Sequence, residues 1–127
     1  MTIIIADDQK HARSGLRALL SASLPSPEIR EARTGREAVL MADEQEPELV
    51  LMDVRMPDMD GIRATRLIKE RHPGVRVIVL SLHAAAAADA LAAGAEAFVS
   101  KGEGTERLLS LVGGGAGDSL AFQGPRP

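Results

Sequence analysis

The chain has 127 residues, the size of one domain at roughly 100–200 residues per domain, and its 15 Lys plus Arg against 18 Asp plus Glu leave a net charge of −3. That balance argues against a fold held to nucleic acid by phosphate contacts, and the absence of cysteine excludes disulfide scaffolds, thiolate metal sites and cysteine nucleophiles. No apolar run approaches the roughly 18 residues of a membrane span and no secretory leader opens the chain, so a cytoplasmic globular domain is expected. Residues 3–6 form a continuous apolar run, read as a strand and broken by Asp7 and Asp8. Ala12, Leu16, Leu19 and Leu20 share one face of a helix over 11–20, which Pro25 and Pro27 bring to an end. Glu28–Ala32 is a second strand candidate. Thr34 followed by Glu37 is a capping box opening a helix that reaches about Gln45. Residues 49–52 make a buried strand ending at Asp53, and Gly61–Arg71 a helix with Ala64, Leu67 and Ile68 inward, terminated by His72, Pro73 and Gly74. The β-branched run 75–80 ends at Ser81. An alanine-rich helix over 84–93 is closed by Gly94, a short strand over 97–99 leads into Lys101, and 106–112 makes the last helix.

These five β–α alternations, with strands that are continuously apolar, imply an α/β fold: a parallel sheet buried between helix layers on both faces. Residues 113–127 are rich in Gly and Pro and read as a flexible tail or truncated linker. In such sheets ligands bind beyond the carboxyl ends of the strands. The polar residues fall there: Asp7 and Asp8 after the first strand, Asp53 after the third, Ser81 after the fourth, Lys101 after the fifth. Three neighbouring carboxylates repel one another, so raised pKa values or a cation must resolve the conflict. An all-oxygen donor set suits Mg²⁺. Lys101 offers a point charge for a phosphoryl oxygen, and a carboxylate can serve as nucleophile in phosphoryl transfer.

Asp7-Asp8, the run Leu51-Met52-Asp53-Val54-Arg55-Met56-Pro57-Asp58-Met59-Asp60-Gly61, Ser81 and Phe98-Val99-Ser100-Lys101 together resemble the receiver domain of two-component response regulators. The phrasing is closest to the subfamily that usually carries a helix-turn-helix output domain. The resemblance implies a flavodoxin-like receiver fold over residues 1–112, with five parallel strands in the order 2-1-3-4-5. It implies Asp53 as phosphoacceptor, Asp8, Asp53 and the Arg55 main-chain carbonyl as Mg²⁺ ligands, and Asp7 as a ligand through water. It makes Lys101 the phosphate-pairing lysine and Ser81 with Phe98 the switch pair. The implied partners are a sensor histidine kinase and, through the face of the fourth helix, fifth strand and fifth helix, a second copy or an output protein. No nucleic acid is expected to bind this chain itself, although transcription regulation is the subfamily's usual output.

Four features depart from the family pattern. Leu82 stands where a small residue is usual and is expected to shield the phosphoryl group from water. Ser81 to Lys101 spans 101 − 81 = 20 positions, short for the family, which implies a shortened fourth helix or entry loop. Residues 84–88 are all alanine, offering little grip on a partner, and Gly102 replaces a common proline. His11, His72 and His83 lack ligand-like spacing and are expected at the surface; Asp58 and Asp60 are expected to solvate a loop. Met41, Met52, Met56 and Met59 read as core or loop filler. A receiver fold uncoupled from phosphorylation, acting as a constitutive interaction module, is the alternative. A phosphohydrolase of the haloacid-dehalogenase type is disfavoured because Arg55 occupies the place of its second aspartate, and a flavin-binding domain because acids crowd the rim.

Overall fold

A computed structural model of the chain describes residues 1–114. The tail expected over 113–127 therefore falls, from residue 115 onward, outside the described residues. The five strands are β1 (Thr2–Ala6), β2 (Glu28–Ala32), β3 (Leu49–Asp53), β4 (Arg76–Ser81) and β5 (Ala97–Ser100). They pair in parallel in the order β2-β1-β3-β4-β5, with Ile4 opposite Arg30 and Val50, and Val79 opposite Met52 and Phe98. The helices are α1 (Lys10–Ser23), α2 (Gly35–Gln45), α3 (Gly61–Arg71), α4 (Ala87–Ala92) and α5 (Glu106–Gly114).

Strand periodicity divides the core into two layers, because successive side chains point to opposite faces of a sheet. Ile4, Ala6, Val50, Met52, Val77 and Val79 pack with α2, α3 and α4 through Ala38, Val39, Ala42, Ala64, Ile68 and Ala90. The alternate residues Ile3, Ile5, Leu49, Leu51, Ile78 and Leu80 pack with α1 and α5 through Leu20, Leu108 and Val112. β1, β3 and β4 are buried on both faces, which is why they read as unbroken apolar runs, whereas β2 at the sheet edge mixes buried and exposed residues. The methionines behave as filler: Met52 is fully buried, and Met41, Met56 and Met59 lie against the same core layer.

Local signals set the helix starts. The Glu37 N–H donates to the Thr34 hydroxyl at 3.0 Å, so the expected N-cap is formed, while the Glu37 carboxylate accepts from the Arg33 N–H at 2.6 Å, one residue before the position a capping box would use. The expectation that Asp58 and Asp60 only solvate a loop is corrected. Asp60 is the N-cap of α3, accepting from the Arg63 N–H at 2.9 Å, and Asp58 holds a left-handed φ of 72° while pairing with Arg36 at 2.8 Å. A carboxylate is a preferred N-cap because it satisfies an otherwise unpaired helical N–H. His72 is likewise not a free surface residue: its side chain is 15% exposed, and its Nε2 lies 2.7 Å from the Asp43 carboxylate.

The alanine-rich segment makes less helix than expected. Ala84–Ala86 forms a 3-10 turn, and α4 proper has six residues. Neither His83 nor Ala86 supplies a side-chain cap, so the helix lacks an N-terminal anchor. Gly94, at φ 111°, ends it as the sequence predicts. Helix α5 runs two residues past the expected 112, and every peptide bond among the described residues is trans.

Candidate functional site

In the order β2-β1-β3-β4-β5 the chain direction across the sheet reverses beside β1, so the carboxyl ends of β1 and β3 flank a crevice. Asp7 and Asp8 follow β1, and Asp53 closes β3. Carboxylate oxygens of these three residues lie within 4.8 Å of one another. Asp7 is buried, Asp53 has 12% of its side chain exposed, and Asp8 faces solvent. Lys101, one residue past β5, reaches in from the opposite wall, with Nζ 2.8 Å from Asp7 Oδ2 and 3.0 Å from Asp53 Oδ1. The Lys101 N–H donates to the Ser81 carbonyl at 2.9 Å, which ties the lysine's backbone to the end of β4.

The electrostatics follow from this crowding. Burial pushes the Asp53 carboxyl above its ordinary value of 3.8, the Asp7 charge adds to the rise, and Lys101 opposes it without cancelling it. Burial alone would lower the Lys101 ammonium, but hydrogen bonds to Asp7 and Asp53 and their charges outweigh it, so Lys101 is raised and stays protonated at neutral pH. Asp7 Oδ1 is also occupied, by the Gln9 N–H at 2.9 Å. Asp7 is thus an acceptor already engaged on both oxygens, whereas Asp8 is open to solvent.

Ser81 is buried at the end of β4, and its hydroxyl oxygen accepts from the His83 N–H at 3.0 Å. Phe98 is half-buried on β5, opposite Val79 and on the sheet face that carries α4. Arg55 and Leu82 line the mouth of the cleft, about 430 Å³ in volume, with Leu82 70% exposed. All of the candidate residues named from sequence, apart from Phe98, therefore border one concavity. A larger, adjoining cleft of about 810 Å³ runs along the β3–α3 loop and α3 to α4, and shares Asp8 and Arg55 with the first.

Arg13 escapes sequence reasoning, and Gly61, which the sequence places at the start of α3, has a role that only the fold reveals. Gly61 lies so close to the end of β3 that an added Cβ would stand 1.8 Å from the Asp53 carbonyl oxygen, and its N–H donates to the Val54 carbonyl at 2.8 Å. Arg13, only 7% exposed, donates from Nη1 to the Asp7 carbonyl at 2.7 Å and from Nε to Glu31 at 2.9 Å. Its position, three residues before Leu16 and seven before Leu20, puts it on the inward face of α1. A cation on an apolar stripe was the available signal.

Chemically, the arrangement presents hard oxygen donors and one ammonium around a single carboxylate of raised proton affinity. The three carboxylates fit Mg²⁺, which favours oxygen ligands and is commonly held by one or two carboxylates.

The family model described as "Response regulator receiver domain" matches residues 3–113. The chain is 39% identical over 112 residues to the transcriptional regulatory protein LnrK of Bacillus subtilis (strain 168), covering 87% of this chain and 51% of that protein. It superposes with a TM-score of 0.81 on a crystal structure of a two-component response regulator of the LuxR family from Aurantimonas sp. SI85-9A1, at 30% identity over 88% of this chain and 81% of the other. A structure of the BeF3-activated DrrB receiver domain gives a TM-score of 0.76 at 29% identity, covering 88% of this chain and 93% of that one. The chain spans about half the length of the curated relatives it matches.

Proposed function

This chain belongs to the response regulator receiver domain family, and from that premise we propose that it is a phosphoacceptor switch in a two-component phosphorelay, phosphorylated on Asp53 in a Mg²⁺-dependent reaction. The observation that carries this reading is the placement of Lys101 Nζ at 2.8 Å from Asp7 and 3.0 Å from Asp53 within a cluster of three carboxylates. Asp8, Asp53 and the Arg55 main-chain carbonyl would hold the metal, with Asp7 contributing through water. Bound there, Mg²⁺ supplies positive charge against the oxygens of the transferred group.

An Asp53 carboxylate oxygen attacks phosphorus in line with the donor bond. The new bond is the P–O bond of an acyl phosphate. The bond broken is P–N of a phosphohistidine, whose imidazole leaves with the electron pair and takes a proton, or P–O of a small acyl phosphate. Lys101 pairs with a phosphoryl oxygen, and the Ser81 hydroxyl donates to another in place of accepting from His83. Rotation of Ser81 towards the phosphoryl group frees space on the sheet face it shares with Phe98, into which the ring can turn. The face of α4, β5 and α5 then changes shape for a second copy or an output partner.

The physiological donor is a sensor histidine kinase, and the setting is cytoplasmic; no helix among the described residues is long and apolar enough to cross a membrane. The chain catalyses only its own phosphorylation and dephosphorylation, and binds no nucleic acid itself. Residues 1–112 constitute the receiver.

Intact-mass spectrometry after incubation with Mg²⁺ and acetyl phosphate tests the reading. The parent should gain one phosphoryl group and Asp53→Asn none. Absence of any gain in a folded, Mg²⁺-binding parent would favour a constitutive interaction module instead. In the phosphorylated protein, Leu82→Ala should dephosphorylate several-fold faster, because Leu82 overhangs the cleft through which water must enter. An unchanged rate, followed by loss of the mass increment with time, would remove Leu82 from that role.

A further inference from the structure

Among the described residues only four polar or charged ones are buried: Asp7, Arg13, Thr65 and Ser81. Two of them border the acidic cleft. Arg13 does not, yet it is bonded to the main chain of the cleft. Its Nη1 donates to the Asp7 carbonyl, the acceptor of the peptide that joins Asp7 to Asp8, at 2.7 Å. On the other side the Asp7 N–H donates to the Ala32 carbonyl at 3.0 Å. Strand β1 has ended by this point, so no neighbouring strand supplies a donor for the Asp7 carbonyl, and a buried carbonyl without one is costly. The guanidinium is itself oriented: Nε bonds Glu31 at 2.9 Å, and the other Glu31 oxygen accepts from Arg17 at 2.7 Å.

We propose that Arg13 is a positioning residue for the acidic cleft, setting the plane of the Asp7–Asp8 peptide and thereby the carboxylate that Asp8 presents to a divalent cation. This rests on the Mg²⁺-dependent reading above. Asp8 is exposed, so packing does little to hold it, and its direction is inherited from its backbone. Only the planar fork of arginine, with donors in a rigid relation, can bond a main-chain carbonyl and a carboxylate on a neighbouring strand together. A purely structural arginine, tying α1 to β2 through Glu31, would satisfy the same contacts without affecting the cleft.

Charge and position make opposite predictions for the metal. Removing a cation near three carboxylates would, by charge alone, tighten Mg²⁺ binding. Releasing the Asp7–Asp8 peptide weakens it, and loss of an outer-sphere partner commonly costs about tenfold or more in metal affinity. Calorimetric titration of the full chain with MgCl₂ should therefore show Arg13→Met binding about tenfold more weakly than the parent. The Mg²⁺ concentration giving half-maximal phosphorylation by acetyl phosphate should move by the same factor, while the rate at saturating Mg²⁺ stays within a few-fold. Arg17→Met removes an exposed partner of Glu31 without touching Asp7 and should keep Mg²⁺ affinity within about twofold. Should Arg13→Met fail to fold by circular dichroism, Arg13→Lys decides: it keeps the charge, loses the fork, and should still bind Mg²⁺ several-fold more weakly. Unchanged or tighter binding by the folded Arg13 variant overturns the proposal while leaving the phosphoacceptor reading intact. A parent that neither binds Mg²⁺ nor gains a phosphoryl group overturns both.

Discussion

Asp53→Asn is expected to abolish phosphoryl transfer and, in Mg²⁺-free buffer at neutral pH, to raise the melting temperature. Burial and the neighbouring Asp7 charge lift the Asp53 carboxyl above 3.8, with Lys101 offsetting only part of this. An acid whose folded-state pKa is raised binds its proton more tightly when folded, so stability falls as pH rises from about 3.8 through the folded value and stays reduced above it. Asparagine has no charge to bury. The gain should read as a higher melting temperature at neutral pH, where the parent buries the charge and the variant does not. Thermal melts of both proteins from pH 4 to pH 8 check the sign: the gap should open with rising pH. Saturating Mg²⁺ should narrow it, because a cation relieves the repulsion in the parent more than in the variant. A variant that melts lower than the parent at every pH would mean that the Lys101 ion pair outweighs the burial of charge at Asp53. In that case charge at Asp53 does not strain the site.

Gly61→Ala should cost the most stability of any glycine-to-alanine change among the described residues. The new Cβ would stand 1.8 Å from the Asp53 carbonyl oxygen, 2.8 Å from its carbon and 3.0 Å from Met52 Cγ. The first two atoms are backbone and cannot rotate away. Relief requires α3 to move off the end of β3, which breaks the 2.8 Å bond from the Gly61 N–H to the Val54 carbonyl and shifts the helix that buries Ala64 and Ile68. A cost of about 3 kcal/mol, lowering the melting temperature by about 10 °C or more, is expected from overpacking of this kind. Because Asp53 shares the displaced peptide, phosphorylation by acetyl phosphate should slow as well at temperatures where the variant is folded. A melting temperature within about 2 °C of the parent would mean that the β3–α3 junction can slide, and the close approach would not be a constraint.

Most of the architecture is legible in the sequence because the signals are local and strong. Residues 3–5, 49–52 and 77–80 are apolar without interruption because both faces of the sheet are covered, and the Thr34 N-cap marks the start of α2 to the residue. Where local signal is missing, propensity alone misleads. The alanines at 84–88 favour helix by propensity, yet without a capping side chain the first three of the expected helix form a 3-10 turn. Asp58, Asp60 and His72 look like surface polar residues in sequence; their partners Arg36 and Asp43 come from a different element, and the Arg63 N–H that Asp60 caps becomes available only when α3 folds.

The order and type of the elements, the parallel two-faced sheet and the set of polar residues at the strand ends are all written in the chain. All of these depend on periodicity and on which residue follows which. What those residues do to one another depends on how the elements pack. Lys101 is 94 positions from Asp7, and only the side-by-side placement of β1, β3, β4 and β5 brings its ammonium within 3.0 Å of two carboxylates. The raised proton affinity of Asp53, the close approach of Gly61 and the grip of Arg13 on the Asp7 carbonyl share that origin. Each is a distance between groups remote in the chain, and such distances are set by packing.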